Sequence, residues 1–226
     1  MERLLAGVAK FRREVFPMQF ELFQKLANKQ HPGALFITCA DSRVVPNLIT
    51  MTDPGDLFVC RTAGNMVPPY GEVHGGVSAT IEYAVLALNV RHIVILGHSD
   101  CGAMKGILHP EAVQSMPTVA SWLRHGDVAR RITQEVYPDL PEERKLDVLT
   151  HENLIAQLQN LETHPSVAAR MRRKELSVHA WMYYIETGKV EAYDHVAKGF
   201  VEIGGEMSEV ADQGITEPEF SLNLAR

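Results

Sequence analysis

Three side chains able to do chemistry stand two residues apart in segment 35–44, LFITCADSRV: Cys39, Asp41 and Arg43. In extended backbone, residues i, i+2 and i+4 point to one face. Alternation therefore predicts a thiol, a carboxylate and a guanidinium converging where the apolar run Leu35, Phe36, Ile37 ends as a strand. In open α/β sheets, ligands bind beyond the carboxyl ends of strands. A second reactive pair, His98 and Cys101, lies in GHSDCG at 97–102, directly after the apolar run Ile93 to Leu96. Its spacing places both residues just past a strand end, with Gly97 and Gly102 relieving the turn. If Gly102 opens a helix, the helix dipole favours a thiolate at Cys101. Two thiolates and one imidazole suit zinc better than magnesium or calcium. Cys2His with one open position is a catalytic zinc set. A redox-active cysteine pair is the alternative chemistry for the same residues. Cys60 has no such context and reads as a small buried hydrophobe.

The elements that must position these groups follow from pattern. Apolar runs at 34–38, 57–60 and 91–96 alternate with a helical stretch at 77–90, the signature of a parallel sheet covered on both faces. Segment 178–183, followed by Gly188, Lys189 and Val190, reads as a further strand turning into another. Helices are expected at 103–108, 119–123, 146–161 and 166–176, with a polar break at 138–144 and a Gly/Pro-rich loop at 61–76. Residues 1–31 carry apolar side chains at helical spacing (Leu4, Leu5, Val8, Phe11, Val15; then Phe20, Phe23, Leu26), and Pro17 predicts a break between two helices. The expected architecture is α/β: a mostly parallel β-sheet flanked by helices, with the N-terminal helical arm packing on a partner subunit. One domain over 1–226 is expected, divided into the arm (1–31), an α/β core (34–204) and an acidic C-terminal tail (205–226).

Composition bounds the function. The 226 residues are 46% hydrophobic and 22% charged, with formal net charge −6, enough for a core and without the basic footprint of a nucleic-acid binder. No apolar run approaches the roughly 20 residues that span a bilayer. The first residues mix both charge signs and lack a signal-peptide core, and three cysteines cannot all pair. The expectation is a cytoplasmic protein with reduced thiols, a small-molecule partner, no nucleic acid and no membrane.

CADSRV (39–44) and GHSDCG (97–102) resemble the two signature motifs of the β-class carbonic anhydrases. DPGDLFVCRTAGNMVPPYG (53–71) and SATIEYAVLALNV (78–90) are similar to that family in wording and spacing. FRREVFP (11–17) and MPTVASWLRHGDVAR (116–130) resemble its bacterial branch associated with cyanate metabolism. The resemblance implies one Zn2+ per chain on Cys39, His98 and Cys101, and reversible hydration of carbon dioxide to bicarbonate by zinc-bound hydroxide. It implies that Asp41 orients the hydroxide while Arg43 holds Asp41 off the metal. It also implies a substrate pocket of Gln30, Phe58, Ala63 and Tyr83 at the interface of a homodimer or larger homo-oligomer. Ala63 stands where the family often has valine. Phe36 stands where some members have a tryptophan belonging to a regulatory bicarbonate pocket, so the open form is expected, with Asp41 off the metal. The rival functions are a sibling hydrolase of carbon disulfide or carbonyl sulfide on the same scaffold, and a non-catalytic zinc or bicarbonate sensor. His31, His74, His109, His125, His151, His164, His179 and His195 have no comparable context, and none is singled out as a proton shuttle.

Overall fold

The computed structural model describes residues 1–72 and 75–204. The acidic tail and His74 lie outside the described residues. Among the described residues, six strands form one sheet: β1 (Ala34–Cys39), β2 (Leu57–Thr62), β3 (His92–His98), β4 (Ser177–Tyr183), β5 (Val190–Asp194) and β6 (Gly199–Ile203), in spatial order β2-β1-β3-β4-β5-β6. The first four positions pair in parallel, and β5 and β6 are antiparallel. The chain leaves β1 for β2 on one side and returns to β3 on the other. The topological switch therefore falls between β1 and β3, where open α/β sheets leave a crevice.

Continuous apolar runs make β1 and β3 the buried centre. Leu35, Phe36 and Ile37 are at most 1% exposed, and Ile93 to Leu96 at most 4%. Each such side chain contributes about 1.5–3 kcal/mol of burial. On one face of the sheet, Leu35, Ile37, Ile93 and Ile95 pack with Ile81, Ala84 and Val85 of α5 (Gly76–Leu86). Leu154, Leu158 and Leu161 of α9 (Glu142–Glu162) join the same core, with Val167 of α10 (Pro165–Arg172). On the other face, Phe36, Val94 and Leu96 pack with Val44, Trp181 and Ile49 of the short α4 (Pro46–Ile49). A third cluster caps the carboxyl ends of the strands, built on α6 (Gly102–Leu108), α7 (Pro117–Leu123) and α8 (Asp127–Val136).

Several expectations shift. The helical course of the arm runs through Pro17: α1 (Glu2–Lys10), a π-helical turn (Phe11–Val15) and α2 (Phe16–Met18) are continuous, and the break before α3 (Phe20–Leu26) comes at Gln19. Pro17 therefore lies inside a continuous helical run, where its missing N–H removes one bond of the ladder, and the wider π-helical turn directly precedes it. Helix α8 and strand β6 were not expected; α8 does carry Val128, Ile132 and Val136 at helical spacing, whereas β6 lacks a clear apolar run. Helix α10 ends at Arg172 rather than near 176. The loop at 61–76 is partly a buried strap, with Gly64 to Pro68 all buried. Among the described residues, no helix is long and apolar enough to cross a membrane.

Candidate metal centre

Cys39 is the last residue of β1, His98 the last of β3, and Cys101 the residue that caps α6. The β1–β3 register aligns Thr38 with Leu96, so the ends of two central strands deliver Cys39 and His98 side by side. His98 thus belongs to the strand rather than to the turn beyond it. The turn is made by Asp100 at φ 56°, not by the flanking glycines, neither of which takes a positive φ. Gly97 serves packing instead: a Cβ there would meet the Leu154 side chain at 3.1 Å.

One ligand atom each from Cys39, His98 and Cys101 lie within 4.8 Å of one another, and all three residues are buried. No other triple of this kind occurs among the described residues. The two sulfurs are 4.0 Å apart, close to the roughly 3.8 Å edge of a tetrahedron with 2.3 Å metal–sulfur bonds. His98 Nδ1 donates to the Ser99 carbonyl at 2.8 Å, which fixes the tautomer. Nε2 is then left buried with no hydrogen-bond partner. A buried polar atom without a partner is costly, and a lone pair aimed at two thiols is what a metal ligand requires. The hydrogen bond from Cys101 pulls the Cys39 thiol down to about 4 against the opposing effect of burial. Cys101 is pushed up by that same bond and by burial, although the amides of Met104 and Ala103 favour its thiolate. The two sulfurs are placed to bind as thiolates around one cation.

Asp41 and Arg43 meet through a turn rather than by strand alternation. The Arg43 amide donates to Asp41 Oδ1 at 2.9 Å, and the guanidinium closes a bidentate pair, Nε to Oδ1 at 3.0 Å and Nη2 to Oδ2 at 2.8 Å. These bonds hold the Asp41 carboxyl well below the usual carboxylate range. Oδ2 lies 3.8 Å from His98 Nε2. The carboxylate therefore sits at the edge of the three-donor set, already engaged by Arg43.

The family model for carbonic anhydrase matches residues 34–190. The chain is 48% identical to a carbonic anhydrase of Synechocystis over 202 residues, covering 89% of this chain and 74% of that protein. Its fold matches the solved β-carbonic anhydrase CcaA at TM-score 0.88 and 47% identity, over 90% of this chain and 99% of that one. It also matches one of two tetrameric β-carbonic anhydrases of Sordaria macrospora at TM-score 0.76 and 29% identity, over 84% and 95%. The chain belongs to the β-class carbonic anhydrases.

In this β-carbonic anhydrase, the residues expected to line the substrate pocket are divided. Ala63 follows β2 at the metal end, its carbonyl accepting from Trp122 Nε1 at 2.9 Å. Phe58 and Tyr83 touch each other, ring centroids 5.9 Å apart, but at the opposite pole. Phe58 aligns with Leu35, four residues or about 13 Å of strand before Cys39. Gln30 precedes β1 and is exposed. One chain does not bring Gln30, Phe58 and Tyr83 to the metal end.

Other contributors to this β-carbonic anhydrase centre were not foreseen. Asp100 takes the far edge of Arg43, accepting from Nη1 at 3.1 Å and, through its carbonyl, from Nη2 at 3.2 Å, while Lys105 pairs with its carboxylate. Arg61 donates to the carbonyls of Cys39 (3.1 Å) and Asp41 (2.8 Å), tying down the turn. Glu186 accepts from Ser99 Oγ at 2.7 Å, bracing the residue whose carbonyl orients His98. Helix α9 carries a polar ladder. Gln157 Oε1 accepts from the Val67 amide at 2.7 Å, and Asn160 Nδ2 donates to the Val67 carbonyl at 3.0 Å. This ladder fixes the strap containing Gly64, whose amide faces the Cys39 thiol. Gly64 is obligatory there, since its φ is +73° and a Cβ would meet Ala103 Cβ at 2.8 Å. Only the polar residues interrupting the apolar pattern of α9 hinted at this role.

Proposed function

We propose that this chain catalyses the reversible hydration of carbon dioxide to bicarbonate and a proton, with zinc held by Cys39, His98 and Cys101. The observation that carries the reading is the buried, unpartnered His98 Nε2 facing two thiols, with the Arg43-clamped Asp41 carboxylate 3.8 Å away. When bound, zinc supplies a Lewis acid that makes a coordinated water nucleophilic near neutral pH.

The chain's own residues supply the rest. Asp41, ionised throughout the neutral range, accepts a hydrogen bond from the attacking water and aims its lone pair. Arg43 keeps both carboxylate oxygens occupied, which opposes their turning to the metal. The Met66, Met104 and Leu149 side chains around the thiols exclude bulk water. Carbon dioxide has no dipole, so an apolar wall with one amide donor is a fitting cradle. Ala63 provides wall from the same chain; Gln30, Phe58 and Tyr83 come from a second copy.

A homo-oligomer is part of this reading. No residue of the arm up to Leu26 is buried, and Leu4, Leu5 and Val8 are 68%, 63% and 59% exposed. An apolar face that long belongs against another surface. Tyr83 and Leu86 expose a second apolar face on α5, at 51% and 62%.

Stopped-flow hydration of carbon dioxide, with metal analysis of the same sample, tests the reading. The expected result is one zinc per chain and turnover that disappears with it. Zinc-loaded protein without turnover between pH 7 and 9 would sink it, as would turnover of carbonyl sulfide in place of carbon dioxide.

A further inference from the structure

The pole of the sheet opposite the catalytic cluster carries a second group of metal-ligating side chains. His92 opens β3, and His179 is the third residue of β4. The parallel register pairs Val94 with His179, so His92 and His179 lie diagonally on one face of adjacent strands. Their rings are 5.4 Å apart between centroids, and His92 Nδ1 is 3.3 Å from His179 Nε2. With 2.0–2.1 Å metal–nitrogen bonds, two imidazoles on one tetrahedral ion hold their nitrogens about 3.3 Å apart. The pair already has that separation.

We infer that His92 and His179 form a second, exposed site for a divalent transition-metal ion of the zinc, nickel and copper class, the remaining positions being filled by water.

Three features support it. The two rings already stand together on adjacent strands of the sheet, so little rearrangement is needed for chelation. His92 is exposed and His179 half-buried, which leaves the outer side open to an ion and its waters. Burial, with the His92 and His195 rings nearby, holds His179 below its ordinary pKa, which favours the neutral, metal-binding form of its ring. In the free protein one ring nitrogen of the pair donates to the other. On binding, that ring passes its proton through water to its own second nitrogen, freeing both lone pairs with no net loss of protons. Imidazole-only donors select borderline ions over magnesium and calcium. His195, at the β5–β6 turn, influences the charge of His179 but does not bring a third donor within the 4.8 Å that unites the catalytic three.

The test is calorimetric titration of zinc-loaded protein with nickel chloride, then copper chloride. One further equivalent per chain is expected, with copper bound tighter than nickel. His179→Ala should remove that equivalent, and His92→Gln, a change at an exposed strand end that leaves the core untouched, should weaken it at least tenfold. His195→Ala should retain it. Electron paramagnetic resonance of the copper form should show two nitrogen ligands, reduced to one or none in His92→Gln. Catalytic zinc content should be unchanged in every variant. Absence of a further equivalent in the parent protein would overturn the inference. So would undiminished uptake in His92→Gln, which would mean binding dispersed over other surface histidines.

Discussion

The two poles of the sheet are built to different standards. At the carboxyl ends of β1 and β3, the three metal donors and the Asp41–Arg43 pair are supplied and braced within one chain. Cys39 is flanked by the amide of Gly64, His98 is fixed by Ser99, and Asp41 is clasped by Arg43, which is itself clasped by Asp100. At the amino ends, Gln30, Phe58 and Tyr83 form an incompletely covered rim, and the arm beside them buries nothing. The difference separates two tasks. Holding a cation demands sub-ångström placement, which only residues locked to a common sheet can keep. Lining a path for a small apolar gas demands only a surface, which a second copy can lend.

The largest effect is expected from removing a ligand. Cys101→Ser or His98→Ala should lose the metal and lower kcat/KM by about 10³-fold or more, seen by metal analysis and stopped flow. Next, Asp41→Ala and Arg43→Ala should each cost about 10²-fold in kcat while zinc stays near one per chain. Loss of zinc in either would show that the dyad builds the site rather than serving the reaction.

The rim is probed by charge. Leu5→Glu with Val8→Glu, far from the ligands in sequence, should yield monomers by size exclusion and lower kcat/KM by between about tenfold and a hundredfold. A fully active monomer would mean that one chain suffices. A smaller effect sharpens the metal pole: Glu186→Gln should weaken zinc binding about tenfold through Ser99 and His98, measured by chelator competition. Smallest is an acid effect. Burial holds His151, His164 and His179 below their usual pKa. The unfolded chain therefore binds more protons below about pH 6.5, and stability, complete above that pH, falls as acid is added toward the folded values. Thermal melts between pH 7.5 and 5 check the sign.

Legibility followed the range of the interactions. The strands beneath the site were plain because Leu35 to Ile37 and Ile93 to Leu96 must be apolar on both faces. The donors were plain because reactive residues cluster where those runs stop. Asp100, Arg61 and Glu186 were not. Their roles depend on partners 57, 20 and 87 residues away, and no local pattern marks a charged side chain whose partner lies that far along the chain. Strand β6 was hidden because GFVEI has half-exposed faces, so its pairing with β5 rather than its own hydrophobicity makes it a strand. The pairing of His92 with His179 was equally invisible, since register alone joins them.

By itself, the sequence determined the chemistry on offer: two thiols and an imidazole at strand ends, a carboxylate and a guanidinium in the following turn, and enough apolar periodicity for a parallel sheet. Those are properties of residue type and local spacing. The tertiary structure decided which groups meet. It placed the switch point between β1 and β3, so that Cys39, His98 and Cys101 close on one point, and it sent Gln30, Phe58 and Tyr83 to the other pole. The physical reason is that strand order and register come from burying a whole sheet against the helices and side chains that cover it, a choice made by long-range burial that no short segment contains.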